Sequence, residues 1–140
     1  MMNSSATVSA ELGLSLVVPD HGSVPLVASL YYNADDPYAI RMAFHVGTDE
    51  PVEWIFARDL LAVGLEGPAG EGDVQVWPAD EHGRELLNIA LSSPFGEAHF
   101  EAPAEAIANF LDRTFRIVPM GKESQAIDID AELNGLLWQA

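Results

Sequence analysis

Between Thr7 and Val18 apolar and polar residues take turns: Val8, Ala10, Leu12, Leu14, Leu16 and Val18 are separated by Thr7, Ser9, Glu11, Gly13 and Ser15. A period of two held over this length predicts a strand with one buried face. Pro19-Asp20-His21-Gly22 reads as a turn, and Leu26, Ala28, Leu30 and Tyr32 resume the alternation from Pro25 onward. Asn33-Ala34-Asp35-Asp36-Pro37 turns the chain again, before Ile40, Met42, Phe44 and Val46 supply a third apolar face. Three strands joined by short polar turns are most simply an antiparallel meander.

Gly47 to Glu50 is the next turn, and Val52–Phe56 reads as a fourth strand that runs into a compact helix, Ala57–Val63. Gly64 is expected to end that helix by taking a positive φ. The loop that follows, with Gly67, Pro68, Gly70 and Gly72, is too rich in breakers to be helix or strand. Asp73–Trp77 restarts a strand that Pro78 should close. After a turn at 80–84, Leu87, Ile89 and Leu91 form another alternating face. Ser93-Pro94-Phe95-Gly96 is a turn, and Ala98 and Phe100 finish the sheet. Pro103 suits the first turn of a helix whose stripe is Ile107, Leu111 and Phe115, with Phe110 and Thr114 beside it. Residues 121–127 read as a linker to a last helix, capped by Asp128 or Asp130 and carrying Leu133, Leu136, Leu137 and Trp138. A helix so short must pack on its own sheet or on a neighbouring subunit. The fold class is α+β in one domain, 1–140: about seven strands in two antiparallel sheets or one strongly bent sheet, with two to three helices.

A chain of 140 residues, 49% hydrophobic, can bury a real core. Six Lys and Arg stand against 22 Asp and Glu, a formal charge of −16. Such a field repels phosphate backbones and anionic headgroups, which disfavours nucleic acid and direct membrane insertion. With no cysteine, disulfides, thiolate zinc sites and thiol nucleophiles are excluded. No apolar run reaches the length of a transmembrane helix, and the N-terminus lacks a signal-peptide pattern, so a soluble cytoplasmic protein is expected.

Catalytic and metal-binding patterns give little. The four histidines, His21, His45, His82 and His99, never fall three or four apart, so no helical turn offers a chelating pair. Asp128-Ile129-Asp130-Ala131-Glu132 starts like a calcium loop, but Leu133 stands where glycine is required and Gln139 where glutamate should close it. The glycines of 64–72 lead to no Lys-Ser or Lys-Thr, so no phosphate cradle is expected. No metal, cofactor or catalytic residue is assigned, and the chain reads as a non-enzyme. The most chemical feature is Arg58-Asp59 beside Trp54 and Phe56, with Trp77 across the glycine loop. Arg and Trp are favoured interface anchors, so these residues are candidate partner contacts. Alternatively, Arg58 and Asp59 form an intrachain ion pair that locks helix to sheet, with both tryptophans in the core. Arg113, Arg116 and Lys122 either complement a helix dipole or make a positive spot for an acidic partner segment.

The stretch W-x-FARDLL-x-x-GL from Trp54, then P-x-G-x-GDV-x-VWP to Pro78, resembles the SsgA-like family of sporulation and cell-division proteins. SSP-x-GEA followed by EAP at Ser92–Pro103, DPYA at Asp36–Ala39 and F-x-x-G at Phe44–Gly47 match in the same order, and TVSAEL at Thr7–Leu12 is most similar to the SsgB branch. The resemblance covers nearly the whole chain. It implies a whirly-like fold, a homo-oligomer (a trimer), and an adaptor at division septa that binds the tubulin-like protein FtsZ and an SsgA-type partner to promote Z-ring assembly. The runner-up is a single-stranded nucleic-acid binder of the same architecture. Trp54, Trp77, Tyr31, Tyr32 and Phe100 could supply its stacking platforms, but the basic groove it needs is missing.

Overall fold

The computed structural model describes residues 7–47, 50–70 and 72–126. β1 (Thr7–Val18), β2 (Gly22–Asn33), β3 (Ala39–His45) and β4 (Val52–Ala57) form one antiparallel meander, and β5 (Val74–Glu81), β6 (Arg84–Ser93) and β7 (Gly96–Pro103) form another. Ser15 opposite Glu101 and Leu16 opposite Phe100 pair β1 with β7. One seven-stranded sheet results, in the order β4-β3-β2-β1-β7-β6-β5. Of the two arrangements the sequence allowed, it is the single bent sheet.

The bend can be read from one contact. Phe44 on β3 and Phe100 on β7 are three strand spacings apart, about 14 Å in a flat sheet. Their rings nevertheless stack at 4.2 Å between centroids and 14° between planes, so the face they share is concave. Inward residues of every strand meet there, among them Leu12, Leu30, Ile40, Phe56, Val76 and Ile89, all buried. The alternation seen in the sequence is the inside–outside alternation of this curled sheet.

Two helices cover part of the concave face: α1 (Arg58–Gly64) and α2 (Ala104–Ile117). α2 turns Ile107, Phe110, Leu111 and Thr114 inward and contacts β1, β6 and β7. Pro103 caps this helix with an extended backbone rather than occupying its first turn.

Three local expectations are corrected. Gly64 is the last residue of α1 and does not take a positive φ. What requires glycine there is close approach, since a Cβ would sit 3.0 Å from Val76 Cβ and nearer still to its Cγ2. β5 runs through Pro78 to Glu81, because it is the edge strand of the sheet, where a residue without an N–H can face away from the ladder. Residues 123–126 form a helical turn inside the stretch expected to be a linker. The expected last helix, with Leu133, Leu136, Leu137 and Trp138, lies outside the described residues.

The glycine loop is tied down as well. Ala69 and Val76 exchange both backbone hydrogen bonds, at 2.8 and 2.9 Å, so the loop shields part of the β5 edge.

Candidate partner-binding surface

Arg58 begins α1 directly after β4, and this abrupt strand-to-helix change turns its side chain inward beneath α2. It is 1% exposed. Its Nη2 donates to Glu123 Oε2 at 2.8 Å, and its Nη1 lies 3.4 Å from Thr114 Oγ1. The guanidinium also lies over two rings, 4.9 Å from the centroid of Tyr32 and 4.3 Å from that of Phe115. Among the described residues Arg58 Nε has no hydrogen-bond partner. The ion pair expected with Asp59 is not formed: Asp59 is exposed, one residue further round the helix, and Glu123 fills the role from 65 residues away. That hydrogen bond is the main reason the Glu123 carboxyl titrates below the ordinary glutamate range. Burial raises the Tyr32 phenol above its usual value, partly opposed by the Arg58 charge, and its hydroxyl donates to the Pro37 carbonyl at 3.1 Å.

Phe56 is buried in the core beside this node. Arg58 and Phe56 therefore join β4, α1, α2 and the 123–126 turn, and neither presents a surface to another molecule in this conformation. Trp54, two residues earlier on the same inward face, is only half-buried, so it does not belong to the closed core that one of the two expectations placed it in. Together with the Phe44–Phe100 stack it lines a cleft of about 300 Å³. Val46 and Val52, 37% and 48% exposed, form one wall. Phe95, at the tip of the β6–β7 hairpin, lines it from the other side and is fully exposed.

Trp77, also half-buried, lies on the opposite, outer face of the sheet. Its ring centroid is 5.4 Å from that of His99, whose Nε2 is 2.7 Å from Asn88 Oδ1. Burial holds the His99 imidazole below its ordinary pKa. Further along the same face, burial and the hydrogen-bonded Glu81 carboxyl push Glu101 above the ordinary glutamate range, with Arg84 acting in the other direction.

The basic residues after Asp112 are spread rather than focused. Arg113 Nη1 donates to the Ser9 carbonyl at 3.0 Å, and Arg116 pairs with Asp112 at 2.7 Å on the exposed side of α2. Lys122 is exposed beyond the helix. The eight sequence candidates therefore fall into five places: the Arg58–Phe56 node, the Trp54 cleft, the Trp77 face, the outer side of α1 and α2, and, for Lys122, the stretch beyond α2. Sequence reasoning missed Glu123, which no local pattern marks. It also missed Phe95 and Glu97 as cleft residues. The signal at Phe95 was available: a large apolar side chain at a turn tip has no neighbour to bury it.

Residues 26–123 match the family described as Streptomyces sporulation and cell division protein, SsgA. The chain is 57% identical over 133 residues to the sporulation-specific cell division protein SsgB of Thermobifida fusca, covering 95% of this chain and 96% of that protein. It is 53% identical over 136 residues to the protein of the same name from Streptomyces coelicolor, covering 97% and 99%. The crystal structure of the SsgA-like sporulation-specific cell division protein from Thermobifida fusca superposes with a TM-score of 0.88 at 56% identity, covering 96% of this chain and 98% of the other.

Proposed function

Since this chain belongs to the SsgA family of sporulation and cell division proteins, we propose that it acts as a non-enzymatic adaptor at septum sites, binding FtsZ and an SsgA-type partner and promoting Z-ring assembly. The observation that carries this reading is the likeness, over nearly the whole length, to relatives named as sporulation-specific cell division proteins. An apolar cleft lined by Phe44, Trp54, Phe95 and Phe100 supports a binding role.

The adaptor works in the cytoplasm, where a rigid sheet holds each copy of the binding surface in place. Assembly into a homo-oligomer, a trimer, presents several copies of a weak site. Multivalent engagement raises apparent affinity by about 10²–10⁴ where geometry allows simultaneous contact. No helix among the described residues is long and apolar enough to cross a membrane. A charge of −16 removes the counterion-release drive that nucleic-acid binding needs.

Co-sedimentation with FtsZ polymers, read beside light scattering of the adaptor alone, tests the proposal. The expected result is co-pelleting, or altered polymer assembly, by a species larger than one 15.1 kDa chain. A protein that neither pellets with FtsZ polymers nor changes their assembly overturns direct binding. A mass of one chain at micromolar concentration overturns the multivalent mechanism.

A further inference from the structure

The helices do not cover the whole concave face. No residue of α1 or α2 lines the cleft at the end of the sheet where β3 passes to β4 and β6 turns into β7. Its floor is aromatic, with Phe44 stacked on Phe100 and Trp54 beside them. Its volume, about 300 Å³, suits one large apolar side chain. At its mouth Phe95 holds its entire ring in water on a hairpin tip, across the hollow from exposed Val46 and Val52. A contiguous exposed apolar patch with a preformed hollow is the usual mark of a recognition site.

Charge selects the occupant. Glu97 is the one charged side chain lining the cleft among the described residues. All six basic residues lie elsewhere: Arg58 is buried, Arg41 pairs with Glu53 on the outer face, and Arg84, Arg113, Arg116 and Lys122 lie on β6, on α2 and beyond it. With −16 over the whole chain, the approach to this mouth attracts cations and repels anionic lipid and nucleic acid. We propose that the cleft docks a segment of a partner protein carrying one bulky apolar side chain flanked by lysine or arginine. The proposal rests on the adaptor reading above and names the surface through which it works. The apolar side chain enters against Trp54 and the Phe44–Phe100 stack, Phe95 folds over it, and the flanking cations face Glu97.

Two dye-labelled peptides test this with the full chain: Lys-Lys-Gly-Phe-Gly-Lys-Lys, and its twin with glutamate for every lysine. Fluorescence anisotropy should show saturable binding of the basic probe, weakened by added salt, and none of the acidic twin. Phe95→Ser should weaken the basic probe at least about tenfold, as truncation of a central anchor does. Glu97→Lys should abolish or reverse the preference between the twins. Both positions are exposed, so the melting temperature of either variant should match the wild type.

Equal binding of the twins, or a basic probe indifferent to Phe95→Ser, overturns the proposal. So does a fall in oligomer mass on Phe95→Ser, which would assign the cleft to a second copy of the chain. Probe binding that appears only after removal of residues 127–140 would assign it to the chain's own C-terminal segment. The adaptor reading fails separately. If the basic probe binds but FtsZ polymers do not, the cleft stands and the FtsZ assignment falls. If both variants co-sediment normally with FtsZ polymers, the FtsZ assignment stands and the cleft is overturned as its docking surface.

Discussion

The Arg58–Glu123 pair should respond unequally to loss of its two members. Glu123→Ala leaves a guanidinium that is 1% exposed, already short of a partner at Nε, with only Thr114 at 3.4 Å and two ring faces for company. It cannot reach water. Breaking a buried pair in this way costs about 3–5 kcal/mol, and the 15% exposure of Glu123 places this case near 3. Arg58→Met strands only the carboxylate, which sits on a short turn and can swing into solvent. It keeps most of the buried stem volume and removes the unpaired Nε, while losing two cation–π contacts of roughly 0.5–1 kcal/mol each. A cost of about 1–2 kcal/mol is expected. The double variant should be no less stable than Arg58→Met alone, because Glu123 has no role once the guanidinium is gone. For a chain of this size about 3 kcal/mol corresponds to roughly 10 °C in melting temperature. Thermal and urea unfolding of the four proteins closes the cycle. The pH dependence has a fixed sign. Because Glu123 titrates lower in the folded state, its contribution is complete above the unfolded glutamate value of about 4.3 and is lost as pH falls through the depressed folded value. Glu123→Ala should therefore narrow its gap to the wild type in strong acid. A loss under about 1 kcal/mol at pH 7, typical of an exposed pair, would refute the buried-node reasoning.

Gly64→Ala should destabilise by about 1–3 kcal/mol through the collision with Val76, and Gly64→Ala with Val76→Ala should cost less than the two single losses added, measured by urea midpoints. Phe44→Ala removes half of the stack that holds the curl and should cost about 3–5 kcal/mol by the same assay. Glu101→Gln should raise the melting temperature at pH 7 and leave it unchanged near pH 4. The folded state keeps a proton on Glu101 that the unfolded chain releases first, so stability falls as pH rises through that window. Spectrophotometric titration should place the Tyr32 phenol above the ordinary value near 10, and Tyr32→Phe should remove that late step.

The legible part of this fold is the part that obeys a period. β1 was readable over Thr7–Leu14, where exposed and buried residues alternate, β2 at Ala28, Leu30 and Tyr32, although Ser29 between them is buried as well, and α2 because Ile107 and Leu111 mark one stripe. Position in the sheet was not readable. Pro78 looked like a strand terminator because nothing in the local sequence says that β5 lies at an edge. Gly64 looked like a conformational stop because Val76, the side chain that forbids a Cβ, is twelve positions away in a different element. Arg58 is the sharpest case. Its neighbour in sequence, Asp59, suggested an ion pair, but successive helical residues point about 100° apart, so one of them must turn away. The inward position went to the arginine and the carboxylate came from Glu123.

The same geometry separates stability from recognition within the motif that singled out this chain. Trp54 and Arg58 lie four residues apart, about 13 Å along an extended chain, with Trp54 in an open cleft and Arg58 sealed at the far end. A sealed guanidinium acts on a partner only by holding β4, α1 and α2 in register. An Arg58→Met protein assayed well below its melting temperature should therefore bind partners as the wild type does, and lose binding only in proportion to the fraction unfolded. Phe95→Ser should do the reverse, losing the partner while its unfolding curve is unchanged. If folded Arg58→Met lost binding at full strength, the guanidinium would have to leave its buried position during association. Breaking the contact with Glu123 would then be a step of recognition, and salt or acid that weakens the pair would speed binding. Stopped-flow association with the basic probe, compared at pH 7 and at a pH low enough to protonate Glu123, distinguishes the two. A rate that does not rise on acidification keeps Arg58 in the scaffold.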